Sequence, residues 1–239
     1  MMDKTTIIQK IKQELKKADK PGNKLDYQRF FKEKLKERYG IKTGILRKIS
    51  NDCFKDAKKL PKDEILEICE ELLKSDIGYG RFFAFEWAAK VKGNYEKSDF
   101  PRFERWLKNH VDGWASCDSL CCGAMGHLIL RFPELTRETK KWAKSGNLWL
   151  RRASAVSLIT PVRNCILLDE VFKTADILLT DEEDMVQKGY GWMLKEAANE
   201  YPDEVFVYVM KHRHEMPRTA LRYAIEKYPP AKRKEAMGK

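Results

Sequence analysis

No run of about 18 apolar residues occurs in the 239-residue chain, which excludes a membrane-spanning helix. The first residues, Met1-Met2-Asp3-Lys4-Thr5-Thr6, lack the apolar stretch of a secretion signal. No segment alternates apolar and polar residues as a half-buried strand would. The chain has no Gly-rich phosphate loop, no nucleophile elbow and no HExxH motif, so nucleoside triphosphate, serine hydrolase and zinc protease chemistries have no sequence support. Its six cysteines (Cys53, Cys69, Cys117, Cys121, Cys122 and Cys165) form no CxxC pair. Cys117 and Cys121 share a helix face and His127 is near, but no second ligand pair accompanies them. We expect reduced thiols, a cytoplasmic location, and neither metal nor cofactor. Of the remaining histidines, His110, His212 and His214 read as solvent-facing.

What the chain does have is positive charge and helical periodicity. Lys and Arg number 47 against 36 acids, a formal net charge of +11. That balance favours an acidic partner, nucleic acid before a membrane surface. Apolar stripes at helical spacing follow one another: Ile7, Ile8, Ile11 and Leu15; then Tyr27, Phe30, Phe31 and Leu35; then Ile45, Leu46, Ile49, Cys53 and Phe54 behind a capping Thr43; then Ile65, Leu66, Cys69, Leu72 and Leu73 behind Pro61. The short apolar runs Leu128-Ile129-Leu130 and Cys165-Ile166-Leu167-Leu168 each extend into a helical period.

From Arg81 onward the pattern repeats. Apolar helices are expected to begin near Arg81, Trp114, Trp149, Gln187 and Pro217, an interval of about 35 residues, typical of stacked helix pairs. Phe132-Pro133-Glu134 and Tyr201-Pro202-Asp203 mark equivalent turns, with proline at the first helical position. The expected fold is all-α, a superhelical solenoid of HEAT-like helix pairs, in one domain over residues 1–239 with a tail that frays from about residue 232. A concave basic stripe of Arg152, Lys188, Lys195 and Arg81 would suit an elongated anion.

Trp114 and Asp118 are the first candidates for chemistry. Spacing of i and i+4 puts an indole and a carboxylate on one helix face, and Gly113 before them would ease the turn into the helix. Trp192 follows two glycines, Gly189 and Gly191, each costing about 1 kcal/mol inside a helix. Close helix packing or close approach of a ligand would offset that cost. Lys195 falls on roughly the face of Trp192. Arg151 and Arg152 lie near a helix start that Gly146-Asn147 can supply. Arginines there oppose the helix dipole, which leaves two readings open, an anionic partner or a buried salt bridge.

The Trp114-x-x-x-Asp118 pair, the Leu150-Arg151-Arg152-Ala153 helix start and the Lys188-Gly189-x-Gly191-Trp192-x-Leu194-Lys195-Glu196 stretch together resemble the AlkD-type DNA alkylation repair family, in order and spacing over roughly residues 25–228. The resemblance implies a HEAT-like solenoid that excises purines alkylated at N3 or N7, without a metal or cofactor. It implies that Trp114, Trp192 and Asp118 meet the sugar and backbone of the lesion nucleotide. A phosphate-binding arginine of the family falls on Arg152, with Arg151 one residue away. A second falls on Lys195, where lysine keeps the charge and loses the planar fork. The loop Tyr39-Gly40-Ile41-Lys42-Thr43 departs from the family's pattern. The implied partner is duplex DNA with alkylated bases, bound by a monomer away from membranes. Two alternatives stay open: a non-catalytic relative that binds distorted or branched DNA, and a helical-repeat scaffold for proteins.

Overall fold

A computed structural model describes residues 3–19, 40–75, 77 and 79–238. The stripe of Tyr27, Phe30, Phe31 and Leu35, and the residues before Gly40 in the departing loop, lie outside the described residues. No strand occurs among the described residues, and none of their helices is long and apolar enough to cross a membrane. The chain divides into two compact units, Met1–Asn94 and Tyr95–Lys239.

The first unit holds α1 (Lys4–Ala18), α2 (Thr43–Ala57), α3 (Lys62–Lys74) and α4 (Gly80–Lys90). The apolar stripes face inward as spaced: Ile7 and Ile11 of α1, Leu46 and Cys53 of α2, and Leu66 and Cys69 of α3 are buried. Asp3 caps α1 by accepting from the Thr6 N–H at 2.7 Å. Thr43 does not cap α2. It is the first helical residue, and Lys42 occupies the cap without a side-chain bond. Trp87 of α4 is buried whole and donates its indole N–H to Ser50 Oγ at 3.1 Å, so its polar atom is satisfied inside the core.

The second unit holds α5 (Phe100–His110), α6 (Trp114–Leu120), α7 (Gly126–Arg131), α8 (Thr136–Trp142), α9 (Leu148–Val156), α10 (Ile159–Val162), α11 (Leu168–Leu178), α12 (Asp184–Glu200), α13 (Pro202–His212), α14 (Arg218–Ala224) and α15 (Pro230–Ala236). Helices α6, α9, α12 and α14 begin at 114, 148, 184 and 218, spaced 34, 36 and 34 residues apart. The repeat extends to the backbone. Phe132 (φ −129°, ψ 76°) and Tyr201 (φ −130°, ψ 62°) take nearly the same conformation ahead of Pro133 and Pro202.

Two rows of helices result. In one, Trp142 of α8 donates to Glu104 of α5 at 2.8 Å, Lys140 of α8 pairs with Glu170 of α11 at 2.7 Å, and Tyr208 of α13 donates to Asp176 of α11 at 2.8 Å. In the other, α6 packs on α9, α9 on α12, and α12 on α14. Each helix in a row packs on or bonds its nearest neighbour, roughly one repeat away in sequence, which is how repeat proteins accumulate stability.

Three details go beyond the sequence reading or differ from it. The run Cys165-Ile166-Leu167-Leu168 extends into a helical period, as expected, with Leu168 as the first residue of α11, but Cys165 (φ 58°) and Leu167 (φ 67°) are left-handed ahead of it. Such residues cost about 1–3 kcal/mol each and persist only when their surroundings fix them. Here Tyr201 Oη donates to the Cys165 carbonyl at 2.6 Å. Residues 230–236, expected mostly to fray, form α15, with Ala236 buried. His212 is tilted against the Tyr208 ring, 4.6 Å between centroids, rather than facing solvent.

Candidate nucleic-acid interface

Every candidate side chain except Arg81 belongs to the row α6, α9, α12 and α14. Trp114 is the first residue of α6 and is 40% exposed, an unusual state for a large aromatic in a chain that buries Trp87, Trp106 and Trp142. Gly113 precedes it in an extended conformation (φ −170°), and a Cβ there would meet nothing within 4 Å. The turn into α6 therefore does not require glycine.

Asp118 lies one turn further along α6, mostly covered, with 17% of its side chain exposed. Arg152 of α9 grips it with a planar fork. Nε donates to Oδ1 at 2.9 Å and Nη2 to Oδ2 at 2.8 Å. Nη1 donates to the Met185 carbonyl of α12 at 2.5 Å. One guanidinium thus ties three successive repeats together. Burial pushes the Asp118 carboxyl up from its ordinary value, and the Arg152 bonds work against that rise. Burial also acts to lower Arg152, but Asp118 outweighs it and holds the guanidinium above its usual range.

The two glycines of α12 serve packing. A Cβ on Gly189 would lie 3.0 Å from Arg152 Cγ and 3.3 Å from Nη1, so its absence leaves the channel through which the arginine passes. A Cβ on Gly191 would lie 2.7 Å from Tyr223 Cβ and 2.8 Å from the Ala220 carbonyl, so α12 and α14 approach backbone to backbone. Trp192, three residues beyond Gly189, is half-buried. Its indole N–H donates to Glu196 Oε1 at 2.8 Å. Arg163 Nε holds the other Glu196 oxygen at 2.9 Å. Burial acts to raise Glu196, but the Arg163 and Trp192 donors keep it below the ordinary carboxylate value. Glu196 stood inside the Trp192 motif, one helical turn on, yet its hold on the indole was not read from the sequence. The i, i+4 spacing was the available signal.

Each expected phosphate-binding cation has an acid beside it. Arg152, placed at a phosphate by the resemblance, is 6% exposed and committed to Asp118. Arg151 pairs with Asp181 at 2.6 Å. Lys188 pairs with Asp184 at 2.6 Å, and Lys195 with Glu226 at 3.1 Å. Of the two readings left open for the arginines, the structure displays salt bridges. The Lys188–Asp184 pair lies at the surface and is worth about 0–1 kcal/mol, whereas Lys195 is mostly covered beside a half-exposed Glu226. The Arg152 pair is buried, and breaking it costs more.

The cysteines next to Asp118 are structural. Cys117 and Cys121 are fully buried, and burial drives the Cys117 thiol well above its ordinary range. Cys117 and Cys122 point their thiols at the Trp149 and Val156 carbonyls, at 3.7 and 3.9 Å. A π-helical turn, Cys121–Met125, joins α6 to α7. Thr160 of α10 caps its Cys122 carbonyl at 2.7 Å, and His127 contacts the Gly123 carbonyl at 2.7 Å. Among the described residues no cluster of three His, Cys, Asp or Glu side chains forms a metal site.

Comparison with known proteins gives this geometry a context. A predicted DNA alkylation repair enzyme from Enterococcus faecalis shares the fold with a TM-score of 0.70 at 18% identity, over 80% of this chain and 88% of that one. AlkD2 from Streptococcus mutans matches with a TM-score of 0.60 at 16% identity, over 92% of this chain and 99% of that one. No curated protein matches the sequence. The profile of the family described as DNA alkylation repair enzyme matches residues 11–228. The chain therefore belongs to the DNA alkylation repair enzyme family.

Proposed function

We propose that this protein is a DNA glycosylase that releases purines alkylated at N3 or N7 from duplex DNA. The reading is carried by one observation, an exposed indole one helical turn from a carboxylate that an arginine fixes in place. Exposure of the indole alone would not carry the reading, since single apolar side chains are common at protein surfaces; what supports it is the place of the indole beside a fixed carboxylate, where its face is open to a partner.

The chemistry needs little from the protein. An N3- or N7-alkylated purine is cationic and leaves without prior protonation. The C1′–N bond breaks, its electron pair neutralises the purine, and positive charge develops on the sugar. Water then adds at C1′ and loses a proton. The faces of Trp114 and Trp192 stabilise the sugar cation by about 0.5–2 kcal/mol each. Both Asp118 oxygens accept from Arg152, but a carboxylate oxygen has a second lone pair. Asp118 therefore keeps acceptor capacity to orient the attacking water. The Arg152 charge offsets part of the field of Asp118, which throws more of the cation stabilisation onto the indoles. In this reading Arg152 acts through Asp118 as a positioning residue, and Lys195 and Lys188 exchange Glu226 and Asp184 for backbone phosphates. Binding from the backbone side makes the instability of the lesion, rather than base readout, the source of selectivity.

The test is release of 7-methylguanine from a duplex under single-turnover conditions. Wild type releases the base. Asp118→Asn loses about 100-fold or more in rate while still binding the duplex, with a thermal melt confirming that it is folded. Equal release by both proteins removes Asp118 from the mechanism. Tight binding without release by wild type points instead to a non-catalytic relative.

A further inference from the structure

We propose that the open groove between α14 and α15 is a second contact for the sugar–phosphate backbone of duplex DNA, on the C-terminal side of the lesion site. The inference rests on the DNA reading above for its polymer, but not on base excision.

The groove has a volume of about 430 Å³ and is lined by Arg222, Arg233 and Lys234 together with the apolar Ile225 and Met237. All three cations are exposed. No side-chain hydrogen bond or ion pair engages any of the three among the described residues. That separates them from Arg151, Arg152, Lys188 and Lys195, each of which has a carboxylate beside it. Three like charges facing one groove repel each other when nothing lies between them, and a polyanion relieves that repulsion. The one acid in the lining, Glu226, is held by Lys195 at 3.1 Å. Lys195 sits on α12 one turn from Trp192, so the groove adjoins the candidate site through this pair. A backbone that draws Lys195 off Glu226 meets the three free cations next. The carbon stems of the arginines, with the part-exposed Met237, give the sugar edges an apolar surface to lie on, over the buried Ile225.

Binding of the full chain to an undamaged duplex, followed by fluorescence anisotropy across a salt series, tests the groove without any base being released. For Arg222→Ala/Arg233→Ala/Lys234→Ala, the slope of log K against log salt becomes shallower by about 0.9 per lost contact, roughly 2 to 3 in all. Glu226→Gln tightens binding. A charge-matched control, Lys48→Ala/Lys58→Ala/Lys59→Ala, changes the slope less than the groove variant. An unchanged slope in the groove variant, a change no larger than the control's, or weaker binding by Glu226→Gln overturns the proposal. So does a groove that takes up inorganic phosphate while duplex binding is indifferent to its mutation. Groove-dependent binding in a protein that releases no base leaves this contact standing and removes the glycosylase reading.

Discussion

Asp118 and Arg152 show at the scale of single residues how much a side chain's partner decides. An isolated carboxylate at this depth would be driven to its neutral form. The fork from Arg152, with bonds of 2.8 and 2.9 Å, works against that tendency. Removing one member of such a pair leaves the other buried and uncompensated. Arg152→Ala is therefore expected to lower stability by about 3–5 kcal/mol, read as a shifted midpoint in urea unfolding. A loss below about 1 kcal/mol would mean that water reaches Asp118 freely. Trp114 and Asp118 were legible in the sequence because i and i+4 positions share a face whatever surrounds them. Their tie to Arg152 was not. It spans 34 residues and depends on how two helices meet, which local spacing does not encode. The same limit applies to Arg151. Its unfavourable place near a helix start signalled an anion, and the anion beside it is Asp181 of the chain itself.

At the scale of the element, α12 carries the most information. Its two glycines forgo about 1 kcal/mol each of helix propensity, and the structure gives each a different use. At Gly191 an added methyl meets the Ala220 carbonyl and Tyr223 Cβ, so the helices must separate. At Gly189 it meets Arg152 Cγ at 3.0 Å and Nη1 at 3.3 Å, a milder overlap that a shift of a few tenths of an ångström relieves. Gly191→Ala is accordingly expected to destabilise by about 1–3 kcal/mol, the usual penalty for overpacking. Gly189→Ala should cost less in stability. Thermal melts of the two variants check the order, and an equal or reversed order would contradict the packing account. Helix starts were readable to within a few residues, because Asn147, Pro202 and the apolar stripes act locally. The π-helical turn at Cys121–Met125 and the left-handed Cys165 and Leu167 were not. Both conformations are held by side chains more than 30 residues away, Thr160 in one case and Tyr201 in the other.

At the scale of the whole molecule, the repeat was written plainly in the sequence, since an interval of about 35 residues reappears as helix starts 34 to 36 residues apart. Charge was only half legible. A net +11 foretells an acidic partner but not which cations are free to meet it. The structure pairs the four that the motifs pointed to and leaves Arg222, Arg233 and Lys234 around a groove. We propose that this family member breaks the glycosidic bond of cationic purines by stabilising the sugar rather than by enclosing the base. The most direct measurement of this is single-turnover base release by the wild-type protein from two duplexes, one carrying 7-methylguanine and the other a neutral methylated base at the same position. The account predicts release of 7-methylguanine well above the spontaneous rate and no acceleration for the neutral base. Spontaneous rates for both, or equal acceleration of both, would contradict it.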